Sequence, residues 1–138
     1  MSSYLKFYFD KNDPKFFTKT AIINDSPDNF VSHVFITSPI YDNFGIKIGY
    51  KVSDDIIQQI GKNEYSVRIV STYHIEGNGT ISWNYAFVNS RPDPYYPLNE
   101  INASNIVSTT GKYFGKTGAV SLTALENGRR NVVIGFNF

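Results

Sequence analysis

The sequence predicts an all-β fold, and three observations support this class. Apolar and polar residues alternate over most of the chain, which is the period of a β-strand. Turn-forming residues separate the alternating runs. Residues that fit a pleated sheet dominate, with 15 Ile, 11 Phe and 10 Tyr against 5 Ala and 1 Met. The length of 138 residues suits a single β-barrel domain over residues 1–138.

The strands follow from this alternation in chain order. Leu5, Phe7 and Phe9 share one face of the first run, and residues 30–37 form a less regular strand. The cleanest run extends from Phe44 to Val52 and predicts one apolar face and one basic, small-residue face. The apolar positions of the later runs are Tyr65, Val67, Ile69, Tyr73 and Ile75; Ile81, Trp83, Tyr85 and Phe87; Val120, Leu122 and Ala124; and Val132, Ile134 and Phe136.

Turn and helix signals divide these runs. The segments Gly77–Gly79 and Glu126–Gly128 predict tight hairpins. Residues 53–60 predict a two-turn helix, because Ser53 suits an N-cap and Gly61 follows the last apolar residue. Seven to nine short strands are enough to close a small barrel.

Two stretches are predicted to be irregular, residues 12–29 and residues 90–100. The second contains three prolines, which exclude a central strand. A loop of this length in a compact domain is often functional, or it covers an end of the barrel.

Composition and charge exclude several classes of protein. A hydrophobic fraction of 41% against 18% charged residues excludes a disordered chain. The formal net charge of +1 gives no strong field toward nucleic acid or an anionic membrane. The chain has no Cys, and its two histidines, His33 and His74, lack the spacing of metal ligands, so we expect no metal and no cofactor. We expect His74 on a solvated face, whereas His33 is either buried and hydrogen-bonded or faces a cavity.

Three segments resemble a known family. In residues 106–122, Gly111, Tyr113, Gly115, Gly118 and Val120 match the pattern G-x-Y/F-x-G-x-x-G-x-V of the allene oxide cyclase and dirigent barrel superfamily. The segment that begins at Gly79 is similar to the G-x-I strand start of that family, and residues 39–49 resemble its L/I-Y-D-x-x-G-x-x-I-G hairpin. The resemblance implies a closed antiparallel eight-stranded β-barrel that is allene oxide cyclase-like, with an internal cavity and often a trimeric assembly.

The chemistry of the family does not transfer residue by residue. The resemblance implies either cyclases that act on unsaturated epoxides or dirigent proteins that guide phenoxy-radical coupling. The cyclase pattern includes a Glu in the first strand and a Cys before the central hairpin. This chain offers only Asp10 in the first strand and has no Cys. We therefore assign no catalytic residue.

Four aromatic residues are the candidate ligand-binding set. Tyr50, Tyr73, Trp83 and Tyr85 fall on the apolar faces of their runs. A small barrel either fills its interior with such side chains or holds one ligand among them, and both interpretations stay open. The carboxylates Asp10, Asp13, Asp54, Asp55 and Asp93 have no partner fixed by spacing, and the adjacent pair suits a helix cap.

A second candidate site is basic. Lys112, Lys116, Arg129 and Arg130 cluster toward the C-terminus beside Tyr113. They form either a nucleic-acid-binding patch, through phosphate contacts and base stacking, or a solvated barrel rim.

These observations predict a non-catalytic β-barrel module that binds a small apolar or aromatic ligand or serves in structure and assembly. The alternatives are a cyclase-, isomerase- or dirigent-like enzyme acting on a fatty-acid-derived or phenolic substrate, and a weak nucleic-acid-binding protein. The resemblance implies a homo-oligomer, a trimer. No signal peptide or membrane-spanning run is evident, which predicts an intracellular soluble protein. The excess of Ile, Asn, Lys, Tyr and Phe is typical of an AT-rich genome, a bias that several protists, bacteria and large DNA viruses share. If the source is a virus, the sequence predicts a particle-associated protein in the virion.

Overall fold

The computed structural model describes residues 3–137, which fold into a closed antiparallel barrel. The strands in this range are β1 (Ser3–Asp10), β2 (Phe17–Asn24), β3 (Val31–Tyr41), β4 (Lys47–Gly61), β5 (Glu64–Ile75), β6 (Gly79–Asn89), β7 (Ile101–Thr109), β8 (Gly118–Ala124) and β9 (Arg129–Phe136), with a 3-10 helix at Gly111–Tyr113. The spatial order is β1-β9-β8-β7-β6-β5-β4-β3-β2. Pairing of Tyr8 in β1 with Tyr41 in β3 closes eight strands into a ring. The predicted all-β, eight-stranded barrel is confirmed.

Most of the predicted alternation appears in the barrel core. The inward faces of β5, β8 and β9 bury the predicted apolar residues, including Val67, Leu122 and Ile134 at 0% exposure. Each fully buried aliphatic side chain of this size stabilises the fold by about 1.5–3 kcal/mol. The two predicted hairpins, β5–β6 and β8–β9, are also present. Within the described residues, no helix has the length and hydropathy needed to cross a membrane.

The prediction for residues 53–60 is wrong, because they belong to β4 and not to a helix. Strand β4 pairs with β3 along one edge and with β5 along the other over almost its full length. A two-turn helix is marginal on its own, so two complete ladders of backbone hydrogen bonds outweigh its capping signals.

The prediction that the apolar face of β4 points into the barrel is also wrong. Tyr50 and Val52 lie on the outer surface, whereas Lys51, Ser53 and Asp55 point into the barrel. Directly opposite residues of paired strands share one face of a sheet. Lys51 lies opposite Tyr73, whose ring is fully buried, so the pairing with β5 brings the basic, small-residue face of β4 inside.

The first irregular stretch contains a strand that was not predicted. Strand β2 pairs with β3 outside the closed ring, and all eight of its residues are exposed. It forms because β1 meets β3 only at Tyr41, which leaves the rest of that edge of β3 free. The second stretch, residues 90–100, forms a loop at one end of the barrel, with one isolated bridge between Leu98 and Ala124.

Two glycines of the family-like segment, Gly111 and Gly118, are required where backbones approach closely. A Cβ atom on Gly118 would lie 1.9 Å from the carbonyl oxygen of Gly135, and one on Gly111 would lie 2.4 Å from that of Asn78. Any larger residue must displace β9 at Gly118 and the β5–β6 turn at Gly111.

Candidate ligand-binding site in the barrel interior

The barrel interior contains a cluster of buried polar side chains. Lys51, Ser53 and Asp55 follow each other on the inward face of β4, each with 1–2% of its surface exposed. Ser71 of β5 lies directly opposite Ser53 and is fully buried. Arg130 of β9 is 3% exposed. Strand pairing therefore places a polar patch inside an otherwise apolar core.

Several atoms of this cluster have no hydrogen-bond partner within residues 3–137. They are Ser53 Oγ, Asp55 Oδ1, Ser71 Oγ and the hydroxyl of Tyr96. Ser53 lies close enough to the Asp55 carboxyl to lower its pKa, and Ser71 lies close enough to the Tyr73 hydroxyl to do the same, but neither contact has the geometry of a hydrogen bond. A buried polar atom left unpaired costs about 1–3 kcal/mol, and native proteins pair nearly all such atoms. Four in one interior make this region the strongest candidate for a functional site in the described chain.

The two central charged groups of the cluster titrate near neutrality. Burial lowers the pKa of Lys51 to about 8, and the attraction of Asp55 partly opposes this change. Burial raises the pKa of Asp55 to about 6, against the opposing attraction of Lys51. The Lys51 Nζ atom lies 4.3 Å from the centroid of the Phe9 ring. Within residues 3–137, no carboxylate oxygen lies within 4.0 Å of that atom.

Arg130 adds a second cation to the interior. Its Nη1 atom donates a 3.3 Å hydrogen bond to the carbonyl of Leu125, and burial lowers its pKa. With Lys51, Arg130 and Asp55 in their charged forms, the buried charged residues carry two positive charges and one negative charge, a net of +1. Such an interior favours an anionic or strongly polar head group.

Aromatic side chains surround the polar cluster. The indole of Trp83 donates a 3.0 Å hydrogen bond to the Tyr73 hydroxyl, and both residues are fully buried. Phe7 contacts Tyr73 edge to face at 4.8 Å between ring centroids. Tyr96 lies parallel to Trp83 at 6.4 Å, and Tyr85 contacts both rings.

The structure brings three of the four predicted ligand-binding residues together. Tyr73 and Trp83 are inside the barrel, and Tyr85 is half-buried beside them. The inward placement of Tyr50 is wrong, because the outward face of β4 carries it. Its ring is 44% exposed and stacks on His74 at 4.4 Å.

A cleft of about 200 Å³ lies at the end of the barrel that the 90–100 loop covers. One wall is formed by β2 and β3, including Ser32 and Val34, and the other by Pro92–Tyr95 of the loop. Val34 faces the interior directly opposite Asp55 in the β3–β4 pairing. The cleft therefore borders the polar cluster.

A larger groove of about 570 Å³ lies on the outer surface, where β6 and β7 pair only near their Ile81–Trp83 end. Its lining mixes apolar residues such as Ile56 and Val70 with Asp54 and Arg68. None of the residues with unpaired buried polar atoms lines this groove or the 200 Å³ cleft. We place the candidate site inside the barrel because those atoms lie there, and the cleft differs from the groove in reaching Val34, which lies opposite Asp55.

The predicted basic patch is not brought together. Arg130 points into the barrel, and Arg129 lies over the Tyr8 ring at 3.7 Å. Lys116 lies over the Phe136 ring at 5.5 Å, near the other end of β9, about 20 Å away along the strand. Lys112 belongs to the 3-10 helix on the same side as Lys116.

The remaining candidate residues lie outside the interior site. His33 is on the outer face of β3, with its Nε2 atom 3.3 Å from Asp54 Oδ1 and its ring 4.2 Å from that of Phe35. Asp54 and Asp55 therefore point to opposite faces of β4. Asp93 accepts hydrogen bonds from the side chain of Asn89, at the end of β6, and from the backbone amide of Tyr95. Asp13 accepts a 2.6 Å hydrogen bond from the Tyr41 hydroxyl, which lowers the pKa of Asp13.

Sequence reasoning missed Lys51, Asp55, Arg130 and Tyr96 as interior residues. The β4 residues could have been found from the alternation of Gly49, Lys51 and Ser53, the basic, small-residue face of this strand, which the pairing with β5 places inside the barrel. No group of three His, Cys, Asp or Glu residues in the described part of the chain is arranged to hold a metal ion.

Comparisons with known proteins support the fold. No family model and no curated protein matches the sequence. Among solved structures, a pyocyanin demethylase is similar with a TM-score of 0.70 and 10% identity, covering 98% of this chain and 100% of that one. A pterocarpan synthase dirigent protein is similar with a TM-score of 0.58 and 17% identity, covering 99% and 86%. This chain has a dirigent-like and allene oxide cyclase-like barrel fold.

Proposed function

We propose that this protein binds a small molecule inside its barrel. The apolar or aromatic body of the ligand packs against the rings near Trp83, and its polar head contacts the cations Lys51 and Arg130 and the hydroxyls of Ser53 and Ser71, while Asp55 accepts a hydrogen bond where the ligand carries a hydroxyl. The observation that carries the proposal is the set of unpaired, buried polar atoms that converge on this interior.

The energetics support a functional role for this cluster. A core that serves stability alone is apolar, because the desolvation of a buried charge costs more free energy than the attraction of a distant opposite charge provides. Lys51 and Asp55 are both buried, and no ion pair within 4.0 Å joins them in the described chain. Proteins accept such local instability mainly at functional sites.

The two similar solved barrels support a small-molecule role. Their names describe a demethylase of pyocyanin and a synthase of a pterocarpan, so each handles a small organic compound. The net positive charge of the buried side chains directs the proposal toward ligands with an acidic or phenolic head.

Native mass spectrometry tests this proposal. Wild-type protein is incubated with millimolar benzoate, 4-hydroxybenzoate, 4-hydroxycinnamate or indole-3-acetate. We expect at least one of these probes to add its mass at a ratio of one per chain. Lys51→Met should weaken that binding by at least about ten-fold, because a charge-assisted contact is lost. Lys62→Met, the same change at an exposed position, should bind as the wild type does.

Two results would contradict the proposal. The first is wild-type protein that stays at its bare mass with every probe. The second is a Lys51→Met variant that binds a probe as tightly as the wild type.

An enzyme that uses acid–base chemistry is the second candidate. The specific observation is that Asp55 and Lys51, with pKa values of about 6 and about 8, face the same interior. Groups with these pKa values exchange protons efficiently near neutral pH. The test is deuterium exchange into the carbon-bound hydrogens of a bound probe in D2O. Exchange that Asp55→Asn abolishes supports an enzyme, and its absence in the wild type supports a binding module alone.

Self-association is the third proposal. The outer face of β3–β5 exposes Phe35, Val52, Ile56 and Val70, each 36–48% exposed, and such a patch is typical of a contact surface. We propose a homo-oligomer, with a trimer as the state implied by the family resemblance. Native mass spectra of wild type and Val70→Lys give the test, and a monomeric wild type would contradict it. A place in a virion and nucleic-acid binding stay predictions from the sequence.

A further inference from the structure

We propose that Tyr96 is a removable plug in the ligand site, and that a phenol-bearing ligand takes the place of its ring. This inference rests on the proposed binding function and deepens it, because it names the ligand chemistry and the element that must move. Its evidence is the position of one loop side chain in the barrel interior.

The Tyr96 ring fills an aromatic slot that belongs to the barrel. It lies parallel to Trp83, with an interplanar angle of 3° and 6.4 Å between centroids. Tyr85 at 6.1 Å and Phe87 at 6.0 Å, both on β6, lie beside it. Tyr96 is 6% exposed, although it belongs to a loop and not to a strand. The walls of the slot are therefore strand residues, whereas its occupant is a loop residue.

The hydroxyl of Tyr96 is the imperfect part of this fit. It is buried and has no hydrogen-bond partner among residues 3–137. Burial raises the pKa of Tyr96 well above its usual range, with further contributions from Tyr73 and Asp55, so the phenol keeps its proton. The proton has no acceptor, although Asp55 Oδ1 and Ser53 Oγ in the same interior also lack partners. The backbone tether fixes the ring, whereas a free phenol can move and donate to one of them.

The loop that carries Tyr96 is attached to the barrel mainly at its ends. Within the described chain, no backbone–backbone hydrogen bond involves residues 90–97. The next residues are held by the Leu98–Ala124 bridge and by the Asn99 amide, which donates to the Ala124 carbonyl at 2.8 Å. Asp93 contacts Asn89, the last residue of β6, and Arg91 within the loop, and the Lys11 ammonium lies 4.8 Å from the centroid of the Tyr95 ring. The loop can therefore lift while all nine strands stay paired.

The cleft beside the loop provides a path by which a ligand enters the barrel when the loop moves. The cleft of about 200 Å³ between β2 and Pro92–Tyr95 lies along the loop and reaches Ser32 and Val34. A ligand that enters by this cleft reaches the interior next to Asp55, which lies opposite Val34.

The test replaces the plug by a free copy of its own side chain. Tyr96→Ala is titrated with p-cresol, which has the ring and hydroxyl of tyrosine, and binding is followed by the fluorescence of Trp83, the single tryptophan. We expect saturable binding and a rise in Tm of roughly 5 °C at ten times Kd. Wild type should bind p-cresol at least about ten-fold more weakly, because its own ring must leave first.

Two matched comparisons make the test specific. Toluene, which lacks the hydroxyl, should bind Tyr96→Ala several-fold more weakly than p-cresol. Tyr4→Ala, the same change at a position that is 63% exposed and lies outside the loop and the cleft, should bind p-cresol as weakly as the wild type. Equal affinity for toluene would overturn the phenol assignment, and binding by Tyr4→Ala as tight as by Tyr96→Ala would overturn the plug.

A further variant covers the case in which Tyr96→Ala does not fold. Tyr96→Phe keeps the ring and removes the unpartnered hydroxyl, so its Tm should equal or exceed that of the wild type. A Tm lowered by several degrees would show that the hydroxyl is paired and that Tyr96 is a fixed core residue. The outcomes distinguish the plug from the proposed binding function. If the wild type gains the mass of a probe but Tyr96→Ala does not bind p-cresol, only the plug is overturned.

Discussion

Replacing Lys51 by Met should make the protein more stable while removing its ligand affinity. The two side chains have similar length and volume, so the substitution changes charge with little change in packing. Lys51 is 2% exposed, and burial lowers its pKa from 10.5 to about 8. At 1.36 kcal/mol per pKa unit, holding the charged form inside the fold costs about 3 kcal/mol at pH 7.

This cost already includes the attraction of Asp55 for Lys51, and the net gain is smaller because Met loses the cation–π contact of Lys51 with the Phe9 ring. We expect Lys51→Met to raise the free energy of unfolding by about 1–3 kcal/mol at pH 7. The folded-state pKa of Lys51 lies below its unfolded value, so the cost is complete below pH 8 and disappears as pH rises through 10.5. The difference between the two proteins should therefore shrink to about 1 kcal/mol or less at pH 10.

Urea denaturation followed by Trp83 fluorescence measures both values, at pH 7 and at pH 10. Lys62→Met, at an exposed position, controls for the loss of one positive charge and should change stability by less than about 0.5 kcal/mol. A Lys51→Met variant that is less stable than the wild type at pH 7 would refute the argument, because Lys51 would then hold the fold together.

Three further predictions test other parts of the structure. The pKa of Asp55 is higher in the folded state than in the unfolded state, so the free energy of unfolding of the wild type should fall by up to about 3 kcal/mol as pH rises from about 4 to about 6. Urea titrations across this pH range should show no such fall in Asp55→Asn. Tyr73→Phe removes the acceptor of the Trp83 indole hydrogen bond, so it should lower the free energy of unfolding by about 1–3 kcal/mol and change the emission spectrum of Trp83. An unchanged spectrum and an unchanged stability would contradict this hydrogen bond. Gly118→Ala should lower Tm strongly or prevent folding, because the added Cβ meets the Gly135 carbonyl. Gly77→Ala, where nothing lies within 4 Å of the added Cβ, should lower Tm less, through its backbone conformation alone. Equal effects of the two variants in thermal melts would contradict the close approach of Gly118 to Gly135.

Alternation in the sequence predicts that a strand exists, but it does not say which face is buried. For β5 both faces were predicted well, because the apolar face carries Val67, Ile69 and Tyr73 and the other carries Arg68. For β4 the more apolar face is outside. The partner strand decides this, since Lys51 lies opposite Tyr73, and that register is not visible in β4 itself.

The candidate site was half predictable for the same reason. Tyr73, Trp83 and Tyr85 could be proposed because aromatic residues on an apolar face are visible in the sequence. Asp55 was assigned to a helix cap, because its local pattern fits one and the ladders to β3 and β5 are long-range contacts. The prolines placed residues 90–100 at an end of the barrel, but no local signal shows that Tyr96 enters the core.

Ligand binding inside the barrel is tested most directly by the NMR signal of the Trp83 indole N–H, which is unique because the chain has one tryptophan. The protein is titrated with whichever aromatic acid adds mass in the native spectra. We predict that this signal shifts saturably in the wild type and in Lys62→Met, and much less in Lys51→Met, because the proposed ligand packs its ring near Trp83 and contacts Lys51 with its polar head. A bound probe that leaves the indole signal of the wild type unmoved would contradict a binding site inside the barrel.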